Sequence, residues 1–328
     1  MLNRKPFISI VLGLAGVVGI ALAAHGSASA FINNRIEITG AQGFALSPVI
    51  ISMDISPGVV SEGEFRVRST ASETQELVAG IEPYSVMGEN YSANFSEWTP
   101  RNEMVRWTNL DLTGDECSID YFDDDGYMHF TVRSQEECYV SYTVDTPSDA
   151  PSGSQHASFF VKDVPKPNMT STGVIPVHKI GITVSANNNS GDANVCGKVE
   201  NQGFPFWVQE GPLNTDYLMK NCGNLDFYSD VDMEVYNLLG NLVYKNSEPV
   251  RKLIFAETSR RVAISWETAD IGIYNVKQTV KYLGEEKTSS APVFMIPIWL
   301  VIIILVILLG IIARIYYGRK NKKSKKKK

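Results

Sequence analysis

The chain has 328 residues and a mass of 36.3 kDa, with 44% hydrophobic and 20% charged residues. That balance argues against a disordered chain and allows about two domains. Its 25 glycines and 15 prolines are an ordinary share, which excludes collagen-like and low-complexity classes, and the net charge of −6 argues against a general nucleic-acid binder.

Charge and apolar runs are unevenly distributed. Residues 7–24 are apolar, follow Arg4 and Lys5, and lead to small residues ending at Ala28 and Ala30. This pattern describes a secretory signal peptide over residues 1–30, the alternative being an uncleaved anchor. Residues 31–290 form the body. Residues 291–313 carry no charge, and as a helix they would span about 34 Å, enough for one bilayer crossing. No polar face interrupts the run, which excludes an ordinary core helix. Trp299 lies near one expected interface and Tyr316 and Tyr317 near the other.

The tail, residues 314–328, holds nine basic residues, including Arg314, Arg319 and Lys320, and no acid. Such a tail stays cytoplasmic and lies on anionic lipid, at about 1 kcal/mol per basic residue near the surface. The expected topology is a single-pass cell-membrane protein with its N-terminus outside and its bulk extracellular. Leader and tail together hold eleven basic residues and no acid, so the remainder keeps nineteen basic and 36 acidic residues, a net charge of −17. A surface this acidic does not bind nucleic acid or an anionic wall polymer by charge alone.

Between leader and span the chain alternates in short runs separated by turn residues. Runs at 45–55, 64–68, 76–86, 138–144 and 156–161 read as strands, and 118–122 with 127–132 reads as a hairpin around Asp123-Asp124-Asp125-Gly126. Residues 164–173 read as a linker. Further strands are expected at 177–185, 232–236, 242–244, 261–266 and 272–282, with an irregular, Asn- and Gly-rich insert at 186–220. Short strands with regular turns predict an all-β protein of two sandwiches, residues 31–170 and 171–290.

Cys117, Cys138, Cys196 and Cys222 all lie in the exported part. An even count in an oxidising compartment predicts two disulfides, and pairing within each domain gives Cys117–Cys138 and Cys196–Cys222; free buried thiols are the alternative. No CxxC or HxxxH spacing points to zinc. The run Asp120, Asp123, Asp124, Asp125 lacks the oxygen spacing of a calcium loop and reads as a solvated turn. No nucleophile elbow, metalloprotease motif, phosphate loop or dinucleotide fingerprint occurs. His156, near Ser154 and Asp149, reads as a strand-edge histidine rather than part of a triad. The expectation is a non-enzyme with no catalytic residue, metal or cofactor. Two aromatic clusters are candidates for gripping a partner: Tyr91, Phe95 and Trp98 in one polar loop region, and Phe204, Phe206 and Trp207 in the insert. The alternative is that they tuck beneath their loops.

Several turns resemble those of the WxL-interacting protein family of Gram-positive-type bacterial cell surfaces. In the first half these are Ser47-Pro48, Ser56-Pro57-Gly58, and Pro147 with Ala150-Pro151-Ser152-Gly153 leading to Ala157-Ser158-Phe159. In the second they are Asn221-Cys222-Gly223-Asn224, residues 235–243, Thr258-Ser259-Arg260, Gly272-Ile273-Tyr274, Tyr282-Leu283-Gly284 and Pro297. The four cysteines, the 88–98 region and the 186–220 insert have no counterpart in that pattern. The resemblance implies two immunoglobulin-like domains, the first of a peptidoglycan-binding type and the second partner-binding. Together these features predict a membrane-anchored surface protein contacting cell-wall polymer or surface protein partners, in an adhesion or scaffold role. A membrane-tethered chaperone that caps exported subunits by strand addition is the alternative.

Overall fold

Alternating burial along nearly every strand sets the architecture of the chain. The computed structural model describes residues 43–113, 117–164, 177–267 and 270–325, with side chains described up to Ile315. The expected leader and most of the expected linker lie outside the described residues.

The first sandwich has two sheets. One runs in the order β1 (Phe44–Ser47), β3 (Val60–Ser69), β10 (Glu137–Asp145), β7 (Thr108–Thr113). The other runs β2 (Ile50–Ile55), β12 (Lys179–Asn188), β11 (Gly153–Asp163), β4 (Gln75–Pro83), β9 (Met128–Val132), β8 (Ser118–Phe122). Phe65, Val67, Val140 and Val144 face Leu77, Phe130, Phe159, Val161 and Val184 across the buried layer, and the Phe65 and Phe159 rings meet at 5.8 Å between centroids. A short helix, α1 (Met104–Trp107), drops Met104 into the same core. The hairpin β8–β9 turns at residues 123–127 as expected, with the Asp123 carboxylate accepting from the Asp125 and Tyr127 N–H groups. The acidic run is thus an Asx-type turn.

The second sandwich packs β13 (Gly197–Gly203), β15 (Leu213–Asn221) and β19 (Ser259–Trp266) against a sheet ordered β14 (Trp207–Val208), β21 (Glu285–Met295), β20 (Gly272–Tyr282), β16 (Phe227–Asn237), β17 (Leu242–Lys245), with β18 (Val250–Ile254) pairing the near end of β16. Tyr217, Met219 and Leu213 meet Val231, Met233, Val276 and Val293 in its core. Burial pushes the Tyr217 phenol up to about 12, and its hydroxyl is satisfied by Ser229 Oγ at 2.8 Å. On the outer face of β16 the intervening acids meet bases, Glu234 with Lys245 and Lys277 at 3.0 and 3.1 Å.

The chain is therefore an all-β protein of two sandwiches followed by an apolar C-terminal helix. Several elements differ from the sequence reading. The run expected to open the second sandwich is β12, which lies between β11 and β2 in the first; hydrophobic alternation marks a strand but not its partner. The insert read as irregular contains β13, β14 and β15. β13 was hidden by its polar sequence and a bulge at Val199–Asn201, β15 by Asn, Asp and Lys on its outer face. Residues 291–295, expected within the span, complete β21, where Pro292 sits opposite Asn275. Helix α2 (Ile298–Lys325) begins after Pro297, and its stretch Ile298–Ile315 has a mean hydropathy of 3.1 with none of it buried against the protein. It is long and apolar enough to cross a membrane.

Disulfides join Cys117 to Cys138 and Cys196 to Cys222. The first bridges the two sheets of its sandwich; the second ties the start of β13 to the end of β15. A Cys117→Ser/Cys138→Ser protein, its closed loop having spanned 21 residues, is expected to lose about 3 kcal/mol in urea unfolding. An unchanged unfolding midpoint would contradict a stabilising role.

Candidate functional site at the junction of the two sandwiches

Strand β11 is buried on both faces from Gly153 to Val161. One face lies in the first core. The other is covered in part by the second sandwich, and this junction holds a connected polar network. Gly153 opens the strand at φ 100°, a conformation natural to glycine, and a Cβ there would come within 2.6 Å of the Asn224 carbonyl. The missing side chain lets the backbones meet, and Ser154 N–H donates to that carbonyl at 2.8 Å.

The loop between β15 and β16 is braced before it reaches the junction. The Cys196–Cys222 bond holds its start, and Asn221 Nδ2 donates to the Leu225 and Ile254 carbonyls at 2.8 and 3.2 Å. It presents Asp226, whose side chain is fully enclosed. Asp226 Oδ2 accepts from His156 Nε2 at 2.8 Å and from Ser185 Oγ at 2.6 Å; Oδ1 accepts from the Ala256 N–H at 2.7 Å. A carboxylate only accepts, so His156 Nε2 carries a proton. Asp226 N–H in turn donates to Ser154 Oγ at 2.7 Å. Burial works to raise the Asp226 pKa, but the His156 ring beside it and the donors from His156, Ser185 and Ala256 outweigh burial and hold it below the ordinary carboxylate range.

Two further straps cross the junction. Arg101 donates to the Ser154 and Asn224 carbonyls, each at 3.2 Å, and pairs with Glu257 at 2.9 Å. Beside it Asn102, wholly buried, ties the Tyr84 and His156 carbonyls at 2.9 and 2.8 Å. The hairpin β5 (Ser85–Met87) and β6 (Ser92–Asn94) reaches to the second sandwich. At its turn Tyr91 stacks on Phe255 at 5.5 Å with 6° between ring planes, lies under the Arg260 guanidinium, and bonds Thr258 and the Phe255 N–H. Glu89 accepts the Arg261 N–H through its carbonyl at 2.8 Å and pairs with the Arg261 side chain.

Above this network the two sandwiches leave a cleft of about 460 Å³, lined among others by Ser85, Thr99, Arg101, Gln155, Glu257 and Thr258. Ser185, Asp226 and His156 carry the residue types of a hydrolytic triad but not its geometry. The serine bonds the carboxylate rather than the imidazole, and all three are enclosed. The cluster holds two domains; it offers no exposed nucleophile. Among the described residues no three His, Cys, Asp or Glu side chains converge on a metal position.

The aromatics expected to grip a partner fall in three places. Tyr91 is spent within the junction. Phe95 and Trp98, exposed at 42% and 40%, stand beside the cleft, Phe95 against Tyr84 and Trp98 under the Arg106 guanidinium at 4.6 Å. Phe204 packs on the second core, while Phe206 and Trp207 are exposed at the far end of that sandwich. Trp299 and Arg314 project from α2, and Arg319 and Lys320 lie in its last turns. His156, expected at a strand edge, sits on an interior strand, because β12 and β4 pair β11 on either side; the ring is buried because Asp226 and Phe255 of the second sandwich lie against it. Sequence reasoning missed Asp226, Ser185 and Arg101. An acid placed directly before the alternating run of β16 was the one available signal, and its partner lies 70 residues away.

No protein-family model matches the chain, and no curated protein matches it. Solved structures similar to it include the class 5 fimbriae chaperone CfaA, at 12% identity over 78% of this chain and 100% of that chain, with a TM-score of 0.35. The Escherichia coli chaperone DraB gives 12% identity over 76% of this chain and 96% of that chain, with a TM-score of 0.36. The CsuC–CsuE chaperone–tip adhesion subunit complex of Acinetobacter baumannii gives 10% over 76% of this chain and 98% of that chain, with a TM-score of 0.36. Likeness this loose says nothing of what this chain binds.

Asp226→Ala is expected to cost about 3–5 kcal/mol of unfolding free energy, since it strands His156 and Ser185 in a closed site; a loss below about 1 kcal/mol would contradict the account. The carboxyl binds its proton less tightly in the folded chain than at its ordinary value of 3.8. Its contribution is therefore complete above that value and is lost as pH falls through the lower folded value. Asp226→Asn is expected to flatten acid destabilisation below pH 3.8, read from urea midpoints across pH.

Proposed function

We propose that this chain is a membrane-tethered binding protein of the cell surface, with its two sandwiches outside and its basic C-terminus in the cytoplasm. The carrying observation is the stretch Ile298–Ile315, none of it buried, with a mean hydropathy of 3.1 and joined to the second sandwich by two residues after Met295. Such a surface in water would be severely unfavourable, and a bilayer satisfies it. The cluster of Lys and Arg behind it sets the orientation. The turn motifs that resemble those of WxL-interacting proteins agree with the same reading, and on it the chain carries out no chemistry of its own.

The partner is a surface protein, met at the cleft between the sandwiches through Phe95 and Trp98. Two exposed aromatics beside a concave, rigid surface suit a protein hot spot. The net charge of −17 on the exported part disfavours an anionic wall polymer. A second reading, strand addition by a subunit-capping chaperone, is favoured by β7, an unbulged six-residue edge with half-buried Leu110 and Leu112. Edge β2 is equally long and unbulged but carries Asp54, and the remaining edges are short, bulged or, as in β19 with Arg260 and Arg261, charged.

Two measurements test this. Under alkaline carbonate the full chain is expected to stay with membranes, whereas a chain ending at Pro297 is released; release of both would overturn the tether. A photo-crosslinking residue at Trp98 in cells is expected to capture a surface protein, with capture lost in Phe95→Ala. Capture only from Asn109 on β7 would support strand addition, and capture from neither position would contradict both readings.

A further inference from the structure

The second sandwich has one end that faces wherever α2 goes. β21 delivers the chain to Met295, and α2 starts at Ile298. The connection is pinned: Trp207 Nε1 donates to the Ile296 carbonyl at 2.6 Å, and Ile296 N–H donates to the Val208 carbonyl at 3.0 Å. The strand registers fix what else lies at this end. Trp207 is level with Phe294, Gly272 with Met295, and Tyr274 with Asn237, where β16 turns into β17. The turn residues Leu238 and Leu239, and Ile271 before β20, therefore extend past the sheet on the side where the helix leaves.

These residues are apolar and uncovered. Phe206 is 71% exposed, Trp207 44%, Leu238 77%, Leu239 85% and Ile271 56%. Scattered single apolar residues need no explanation, but a set from three separate chain segments at one end of one sheet does. A hollow of about 500 Å³ separates Leu238 from Ile273 and Pro292, so the leucines do not fold back to fill it. Three neighbouring strands place the Leu238–Leu239 turn about 10 Å sideways from β21, and the residues from Ile296 to Ile298 span about 7 Å. With the helix in a bilayer, the turn hangs at the depth of the headgroup boundary.

We infer that this end is a lipid-seating collar: Phe206, Trp207, Leu238, Leu239 and Ile271 enter the membrane interface and hold the sandwich upright on its span. The inference rests on the membrane-tethered reading. The charged residues in the flanking loops, Glu210 and Asp270, are acidic, so the seating is apolar rather than electrostatic and extends to uncharged lipid.

The test uses the full chain in phosphatidylcholine vesicles with bromine on the acyl chains close to the headgroup, read by tryptophan emission. Trp207→Phe/Trp299→Phe sets the background. Adding Leu239→Trp to it is expected to give emission quenched beyond that background, and Leu238→Asp in the same chain is expected to abolish the excess. Trp207→Phe alone reports Trp299 at the start of the span. If Trp299 is quenched while the Leu239→Trp probe is not, the collar is overturned and the tether stands. If neither is quenched, the tether fails and the collar with it.

Discussion

One carboxylate holds the two halves of this molecule in register. Asp226 comes from the second sandwich, yet two of its three side-chain partners, His156 and Ser185, belong to the first. An ion placed in so closed a site is tolerated when every acceptor position is filled, and the interdomain geometry follows from filling them. Gly153, Arg101 and the Tyr91 turn make sense around that constraint. The first lets the backbones touch, and the others anchor the margins of the same contact.

A fixed joint limits the mutual angles that the two sandwiches can take. Two sandwiches on a free linker would sample many mutual angles, and any surface shared between them would be assembled only at an entropic cost on binding. Here the cleft beside Phe95 and Trp98 is formed in advance. The second sandwich is in turn tied to α2 through two residues and the Trp207–Ile296 contact; on the proposed membrane-tethered reading, that joint would hold a binding surface on the first sandwich away from the membrane.

Much of the fold was legible. Val231, Met233 and Val235 alternate with acids along β16, and Tyr274, Val276 and Val280 alternate with Asn275, Lys277, Thr279 and Lys281 along β20, so those strands follow from a period of two. The cysteine pairing followed from proximity in the chain, and the apolar helix from its composition. What could not be read was partnership. The β12 run carries the same alternation whichever sandwich it joins, and only its pairing with β11 and β2 assigns it. β15 alternates inward at Leu213, Tyr217 and Met219, yet its Asn and Lys residues gave it the look of a loop. For the junction, a histidine and an aspartate distant in sequence carry no mark that they meet. Tyr91 illustrates the same limit, since an aromatic in a polar turn reads as a gripping residue until the second sandwich is seen to cover it.

The central claim, a two-sandwich body locked at Asp226, is tested most directly by a distance measurement in the full chain. Spin labels attached through non-cysteine handles at the exposed positions Glu64 and Glu286, one on each sandwich, leave both disulfides intact. Pulsed electron resonance is then predicted to give a single narrow distance distribution that broadens in Asp226→Ala. A broad distribution in the unsubstituted protein would contradict the lock and the preformed cleft that depends on it.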